Sequence, residues 1–301
     1  MGASRRLRAR RVRKAGGMPA PQPAKNAAPL VYLYGFALAE GSGTAGRAGS
    51  VTRLPLPSEA WGVEEGVSVE RVEDRGVAAL VSLVPAAAYE ERPLEEHCRD
   101  PRWLAIRAER HNCVLLQILK HSSVAPCRFG TLFRDLATVK EVIARNRRLL
   151  ARVLRRLQGR VEWSVKAYLA PSPALQRGRK HGRTQRQGSG GGRGQGSAYL
   201  LGLVRERTAR REVGRHVRDH ARTIMSALSR AAVDMAALPL RNPEGDKATI
   251  FLNLACLVER ARTPALLSGL RKLAASQRRK GIVLTWSGPW PAYSFAGGLF
   301  S

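Results

Sequence analysis

Histidine placed beside cysteine is the pairing best able to hold a metal, and the chain offers it twice, as His97-Cys98 and as His111 with Cys113. Neither spacing matches a structural zinc pattern, and residues at i and i+2 on a helix point to different faces. Packing is therefore the expected role of these side chains. Phosphate chemistry needs a glycine loop ending in Lys-Ser or Lys-Thr between a strand and a helix. The glycine-rich run from Gly188 to Gly196 has neither that ending nor that setting, and it reads as a linker. No GxSxG elbow and no HExxH helix occurs. Without a convergent set of polar residues, neither catalysis nor a bound metal or cofactor is expected.

Binding chemistry is better represented. After Asp135 a helical pattern carries Arg145, Arg147, Arg148, Arg152, Arg155 and Arg156 away from its apolar stripe. A row of guanidiniums can meet a nucleic acid or the acidic face of a protein. No aromatic residues are interleaved to stack bases, so a protein-facing or solvated surface is expected, with a basic nucleic-acid binder as the alternative. Arg128, in Arg128-Phe129-Gly130-Thr131, could hold a partner's carboxylate or form an internal ion pair beside Gly130, which permits a bend.

Farther along, Trp286, Trp290, Tyr293 and Phe295 fall within ten residues, where chains usually fray into polar residues. Pro289 and Pro291 exclude helix and remove two ladder donors. The segment from Gly288 is thus expected to leave the last strand as an extended, polyproline-like strip. Covering each aromatic would stabilise by about 1.5–3 kcal/mol, enough to clasp the strip to its own body or to a partner.

These residues need elements to position them. Leu30 to Ala37 reads as a strand, and Val67 to Val72 and Val77 to Val84 as a hairpin across Glu73-Asp74-Arg75-Gly76. A helix is predicted from Trp103 to Lys120 on the stripe Leu104, Ala108, His111, Leu115 and Ile118, followed by a short extended piece at 124–129. Asp135 caps the next helix, with Leu136, Val139, Ile143, Leu150, Val153 and Leu157 facing inward. Strands follow at 161–169, 198–204, 233–240, 249–258 and 282–286, and helices at 205–232 and from Thr263, read as the cap, to Gly281. The run Ile250 to Leu257 is apolar on both faces, as a central strand requires.

This order gives an α+β protein of two domains. The second (161–287) is ferredoxin-like, βαββαβ, with a Gly/Arg-rich insertion at 174–197; the first (29–160) is a modified version of similar topology. Residues 1–28 form a basic tail expected to be disordered, and 288–301 an aromatic tail. The formal net charge is +29, but fourteen basic residues lie in the acid-free stretches 1–28 and 176–197. Charge so placed raises association rates without choosing a sequence. No run of about 18 apolar residues occurs, so no membrane span is expected. The four cysteines lie far apart in a chain without an export signal and are expected to be reduced.

Five blocks, taken in order, resemble the GvpF/GvpL family of gas vesicle proteins: Val31-Tyr32-Leu33-Tyr34-Gly35, Ala78-Ala79-Leu80-Val81-Ser82, Pro126-Cys127-Arg128-Phe129-Gly130-Thr131-Leu132-Phe133, Asn253-Leu254-Ala255-Cys256-Leu257-Val258 and Gly288 to Phe295. Ala292 departs from the family's second proline, and the Gly/Arg insertion and basic tail are additions. The resemblance implies an accessory or minor structural protein that binds the major gas vesicle shell protein and other accessory proteins during nucleation and assembly. It implies no cofactor, no membrane and no specific nucleic acid, with a cytoplasmic location before assembly and the gas vesicle after it. Partner contacts are expected at Trp290, Tyr293, Phe295, Arg128, Arg148 and Arg152. Structural roles are expected at Gly130, Asn253, Gly288, Pro289 and Pro291.

Overall fold

The computed structural model describes residues 28–39, 51–53, 62–170, 214–241 and 249–297. The strand read at 198–204, the start of the helix read at 205–232, the Gly/Arg insertion and nearly all of the basic tail lie outside them.

Six strands make the first sheet: β1 (Leu30–Leu38), β2 (Val51–Arg53), β3 (Glu70–Asp74), β4 (Val77–Val84), β5 (Val124–Pro126) and β6 (Leu132–Phe133). Their order is β2-β3-β4-β1-β5, with β6 also on β1, and the pairs are antiparallel. The β3–β4 turn places Arg75 and Gly76 at φ 45° and 88°, the two positive angles that a two-residue hairpin with the twist of its strands requires.

Strand β1 is buried on both faces. Tyr32 and Tyr34 enter one buried cluster, and Val31 and Leu33 enter the other. A register shift between Leu33 and Gly35 then exchanges the faces, so that Phe36 joins Leu33's side and Ala37 joins Tyr34's. Gly35 sits at this bulge because a Cβ there would lie 2.5 Å from the Ala125 carbonyl oxygen.

Three helices follow β4: α1 (Ala86–Tyr89), α2 (Glu91–Cys98) and α3 (Pro101–His121). The first two were not expected. Asp100 caps α3 by accepting from Arg102 N at 2.9 Å, and Pro101 opens it. His111, Val114, Leu115 and Leu119 of α3 are its buried residues.

Helix α4 (Leu136–Leu157) begins where expected, with Asp135 Oδ1 accepting from Thr138 N at 2.7 Å and Thr138 Oγ1 at 2.8 Å. Its buried line is Val139, Ile143, Leu150, Leu154 and Leu157. Leu154 replaces the expected Val153, which is half-buried, because 150, 154 and 157 stack on one side of a 3.6-residue helix and 153 lies to the flank.

The second sheet holds β7 (Arg160–Leu169), β8 (Asp234–Ala237), β9 (Thr249–Glu259) and β10 (Ile282–Trp290), ordered β10-β7-β9-β8 and antiparallel throughout. As expected, β9 is central, paired on both edges. A helix described over 214–229 (α5) buries Ile224 and Leu228, and α6 (Thr263–Arg278) buries Leu266 and Leu270, in a cluster with Trp163, Val165, Leu254 and Leu284. Thr263 is not the cap of α6. A 3-10 turn, Arg260–Arg262, runs straight into it, so Thr263 is already helical and no side chain caps the end.

Helix α4 packs on β1, β3, β4 and β5 of the first sheet. Its buried cluster also takes in Ala255 and Leu257 of β9 and Phe295. The helix thus covers the first sheet with its buried side and keeps Arg148, Leu149 and Arg152 exposed on the other.

Candidate functional site

Strand β10 does not stop at Trp286 and does not leave the sheet as an extended strip. It pairs with β7 through Ser287 opposite Ser164, slips, and re-enters the ladder with Trp290 opposite Glu162. Proline is tolerated because β10 is an edge strand, with ladder demands on one side only. At the slip Gly288 has φ 150°, and a Cβ there would fall 2.8 Å from the Trp163 ring and 3.0 Å from the Glu162 carbonyl oxygen.

Beyond Trp290 the chain curls. Tyr293 N donates to Pro291 O at 2.8 Å and Phe295 N to Ala292 O at 3.1 Å. Ser294 closes the curl by donating both N–H and Oγ–H to the Glu162 carboxylate, each at 2.8 Å. Pro289 is exposed, Pro291 is buried, and Phe295 is inserted with Ala292 and Ala296 among the α4 side chains, Ala125 and Cys127. Trp290 is half-buried, its Nε1 donating to Ser287 Oγ at 3.1 Å. Tyr293 remains 41% exposed, although its hydroxyl end is covered: burial, then Cys127 and Glu162, push its pKa up. Of the three tail aromatics expected to meet a partner, Phe295 is taken by the body of the protein, Trp290 is half-buried, and Tyr293 is exposed in part.

Burial pushes the Glu162 carboxyl up, partly offset by the two bonds from Ser294. A raised carboxyl holds its proton more tightly when folded, so its contribution to stability is present at acid pH and lost as pH rises through the folded value. Glu162→Gln, which keeps the shape without ionising, is therefore expected to gain in Tm relative to the parent as pH rises above the ordinary carboxylate value. A melting series begun below that value and carried to neutral pH checks this.

On α4, Arg148, Arg152 and Arg155 are exposed and have no ion-pair partner among the described residues. Arg145 pairs with Glu141 at 2.9 Å, and Arg156 with Asp234 of β8. Arg145, Arg148 and Arg152 line a shallow hollow of about 490 Å³ around Leu149, which is 45% exposed. Arg128 is exposed too, and the internal ion pair weighed for it is not found among the described residues. Its carbonyl instead accepts from Thr131 N at 3.3 Å and Thr131 Oγ1 at 2.7 Å, forming the turn that holds Gly130 at φ 78°. The structure brings this turn and the tail together through Cys127, which shares a cluster with Phe295. Asn253 acts as a brace: its Nδ2 donates to Pro239 O at 2.8 Å, and its backbone carbonyl accepts from Leu238 N.

The histidines singled out for metal are both engaged in packing. His111 is buried, its Nδ1 lying 2.8 Å from Tyr32 Oη, and burial pushes it down to about 4. His97 stacks on Trp103 at 4.9 Å, with Arg107 over the same ring. Cys98 and Cys113 are exposed, and burial pushes the thiols of Cys127 and Cys256 up to about 12. The sequence reading passed over His216 and His220, although their spacing was the available signal. On α5 their Nε2 atoms lie 3.0 Å apart. No cluster of three or more His, Cys, Asp or Glu suited to a metal gathers among the described residues.

The profile of the family described as gas vesicle synthesis protein GvpL/GvpF matches residues 30–297. Gas vesicle protein L of Streptomyces sp. (strain CB03234) is 30% identical over 248 residues, 80% of this chain and 88% of that protein. Gas vesicle protein F1 of Halobacterium salinarum is 23% identical over 252 residues, covering 82% and 90%. Among solved structures, the gas vesicle protein GvpF from Anabaena sp. PCC7120 superposes with a TM-score of 0.58 at 14% identity, over 89% of this chain and 96% of that one. The GvpF from Microcystis aeruginosa gives 0.55 at 18% identity, over 89% and 98%. At such identities the two crystal structures speak for the shared fold alone.

Proposed function

The chain belongs to the gas vesicle synthesis protein GvpL/GvpF family, and on that premise we propose that it is an accessory or minor structural protein that binds the major shell protein and other accessory proteins while the gas vesicle is nucleated and assembled. It works by holding partners, not by catalysis, in the cytoplasm before assembly and at the vesicle afterwards. No described helix is long and apolar enough to cross a membrane, which fits attachment through a folded surface.

The observation that carries this reading is the exposed Arg148–Leu149–Arg152 surface on a helix whose other side is packed on the first sheet. Such a surface is rigid, cationic and centred on an apolar side chain, so it offers steering and desolvated contact together. Tyr293 and Arg128 give a second contact region beside Cys127. The βαββαβ reading of residues 161–287 belongs to the same proposal. It is supported by the β10-β7-β9-β8 order, in which the first strand lies between the fourth and third. On this reading α4, counted with residues 29–160, is the layer that joins the two domains.

Purified full-length protein is expected to retain recombinant shell protein in a pull-down at low and moderate salt. The double variant Arg148→Glu/Arg152→Glu is expected to slow association at least about tenfold while leaving Tm nearly unchanged, since both side chains are exposed. Failure of the parent protein to retain shell protein at either salt would sink the reading. An unaffected double variant would move the contact off α4.

A further inference from the structure

We propose that His216 and His220 form a binding site for a divalent transition-metal ion of tetragonal preference, Cu²⁺ or Ni²⁺, between α5 and α6. Residues four apart on a helix share one face, and here the two imidazoles meet at 76° with their Nε2 atoms hydrogen-bonded at 3.0 Å, a contact that an ion bridging the two nitrogens would replace. Two nitrogens each about 2.0–2.1 Å from an ion and 3.0 Å from each other subtend roughly 95° at it. That is the angle between adjacent corners of a square-planar or tetragonal site, whereas a tetrahedral zinc site needs its nitrogens wider apart.

A third donor stands beside the pair. Gln277 of α6 is 1% exposed and its amide interacts with the His220 ring, yet its Oε1 makes no hydrogen bond of full geometry. A buried amide oxygen left open in this way loses the stabilisation that nearly all such atoms find, and an ion on the histidine pair would satisfy it.

The surrounding charges are mixed. Asp219 favours a cation, but it is turned toward Arg222 at 3.6 Å, and Lys280 opposes one. Retention therefore rests on the imidazole bonds and not on the local field. Because His220 and Gln277 stand on different helices, a bound ion would tie α5 to α6 and stabilise the fold by linkage.

The test uses the full-length protein with Cys98 and Cys113 alkylated, and Cu²⁺ or Ni²⁺ added separately. Expected are a rise in Tm with either ion, an axial Cu²⁺ EPR spectrum with nitrogen hyperfine structure, and at least tenfold weaker binding in both His216→Gln and His220→Gln. His216 is exposed, so its substitution leaves the fold intact and keeps the result interpretable if His220→Gln fails to fold. Undiminished binding in His216→Gln, or a parent Tm that neither ion moves, would overturn the proposal. Neither outcome bears on shell-protein retention, which is read separately.

Discussion

Phe295→Ala is expected to cost about 3–5 kcal/mol of unfolding free energy, read as a Tm lower by roughly 10 °C. Phe295 is 6% exposed and packs with the buried line of α4 and with Cys127, so its removal leaves a cavity at the place where first sheet, long helix and tail meet. Tyr293→Ala, two residues away, is expected to cost clearly less, because Tyr293 is 41% exposed where Phe295 is 6%. Denaturant titration of the two variants side by side checks the contrast. Equal small losses would mean that the tail is not a clasp.

Acid should weaken the protein through His111. Its folded pKa of about 4 lies below the ordinary 6.5, so as pH falls the unfolded chain takes up the proton first. The stability at stake is fully present above pH 6.5 and is lost progressively down to pH 4, about 3 kcal/mol in all, after which the contribution is flat. The groups around the ring, Tyr32, Tyr34, Phe129 and the Cys127 backbone, include no carboxylate to soften the loss. Urea unfolding of His111→Gln at pH 7, 5.5 and 4.5 is expected to begin lower and to fall less steeply than the parent. Glu162 acts in the opposite sense over its own range, so the double variant Glu162→Gln/His111→Gln separates the two.

Local signals were readable in the sequence. The Gly76 turn, the Asp135 cap, the unbroken apolar run of β9 and the arginine row of α4 each depend on residues a few positions apart, and each lies in the structure where its spacing put it. Helix α2 was missed because Pro93 reads as a breaker. It stands in the first turn, where the missing N–H has no intrahelical acceptor to lose. The true course of the tail could not be read at all. Pro289 and Pro291 spoke for an extended strip, and only the distant partners Glu162 and Trp163 explain why the chain returns to the ladder and then curls. A carboxylate inside a strand gives no sequence signal that it will receive a serine 132 positions later. The histidine pair was missed for a different reason, since H-x3-H is visible but common on helices that bind nothing.

The strand order of the second sheet has a consequence for how the protein comes into being. β7 is the first of its strands to leave the ribosome, yet both of its neighbours, β9 and β10, are made far later: Leu169 waits for Thr249, and Val165 waits for Trp286. Until then a ten-residue strand carrying Val161, Trp163 and Val165 has two open edges, the kind of surface that pairs with another nascent chain. Non-local pairing of this sort closes slowly, and it cannot finish before residue 290 has been synthesised. Chains truncated before β10 should therefore collect as aggregates and not as soluble fragments, and yield should rise when translation is slowed or chaperones are supplied.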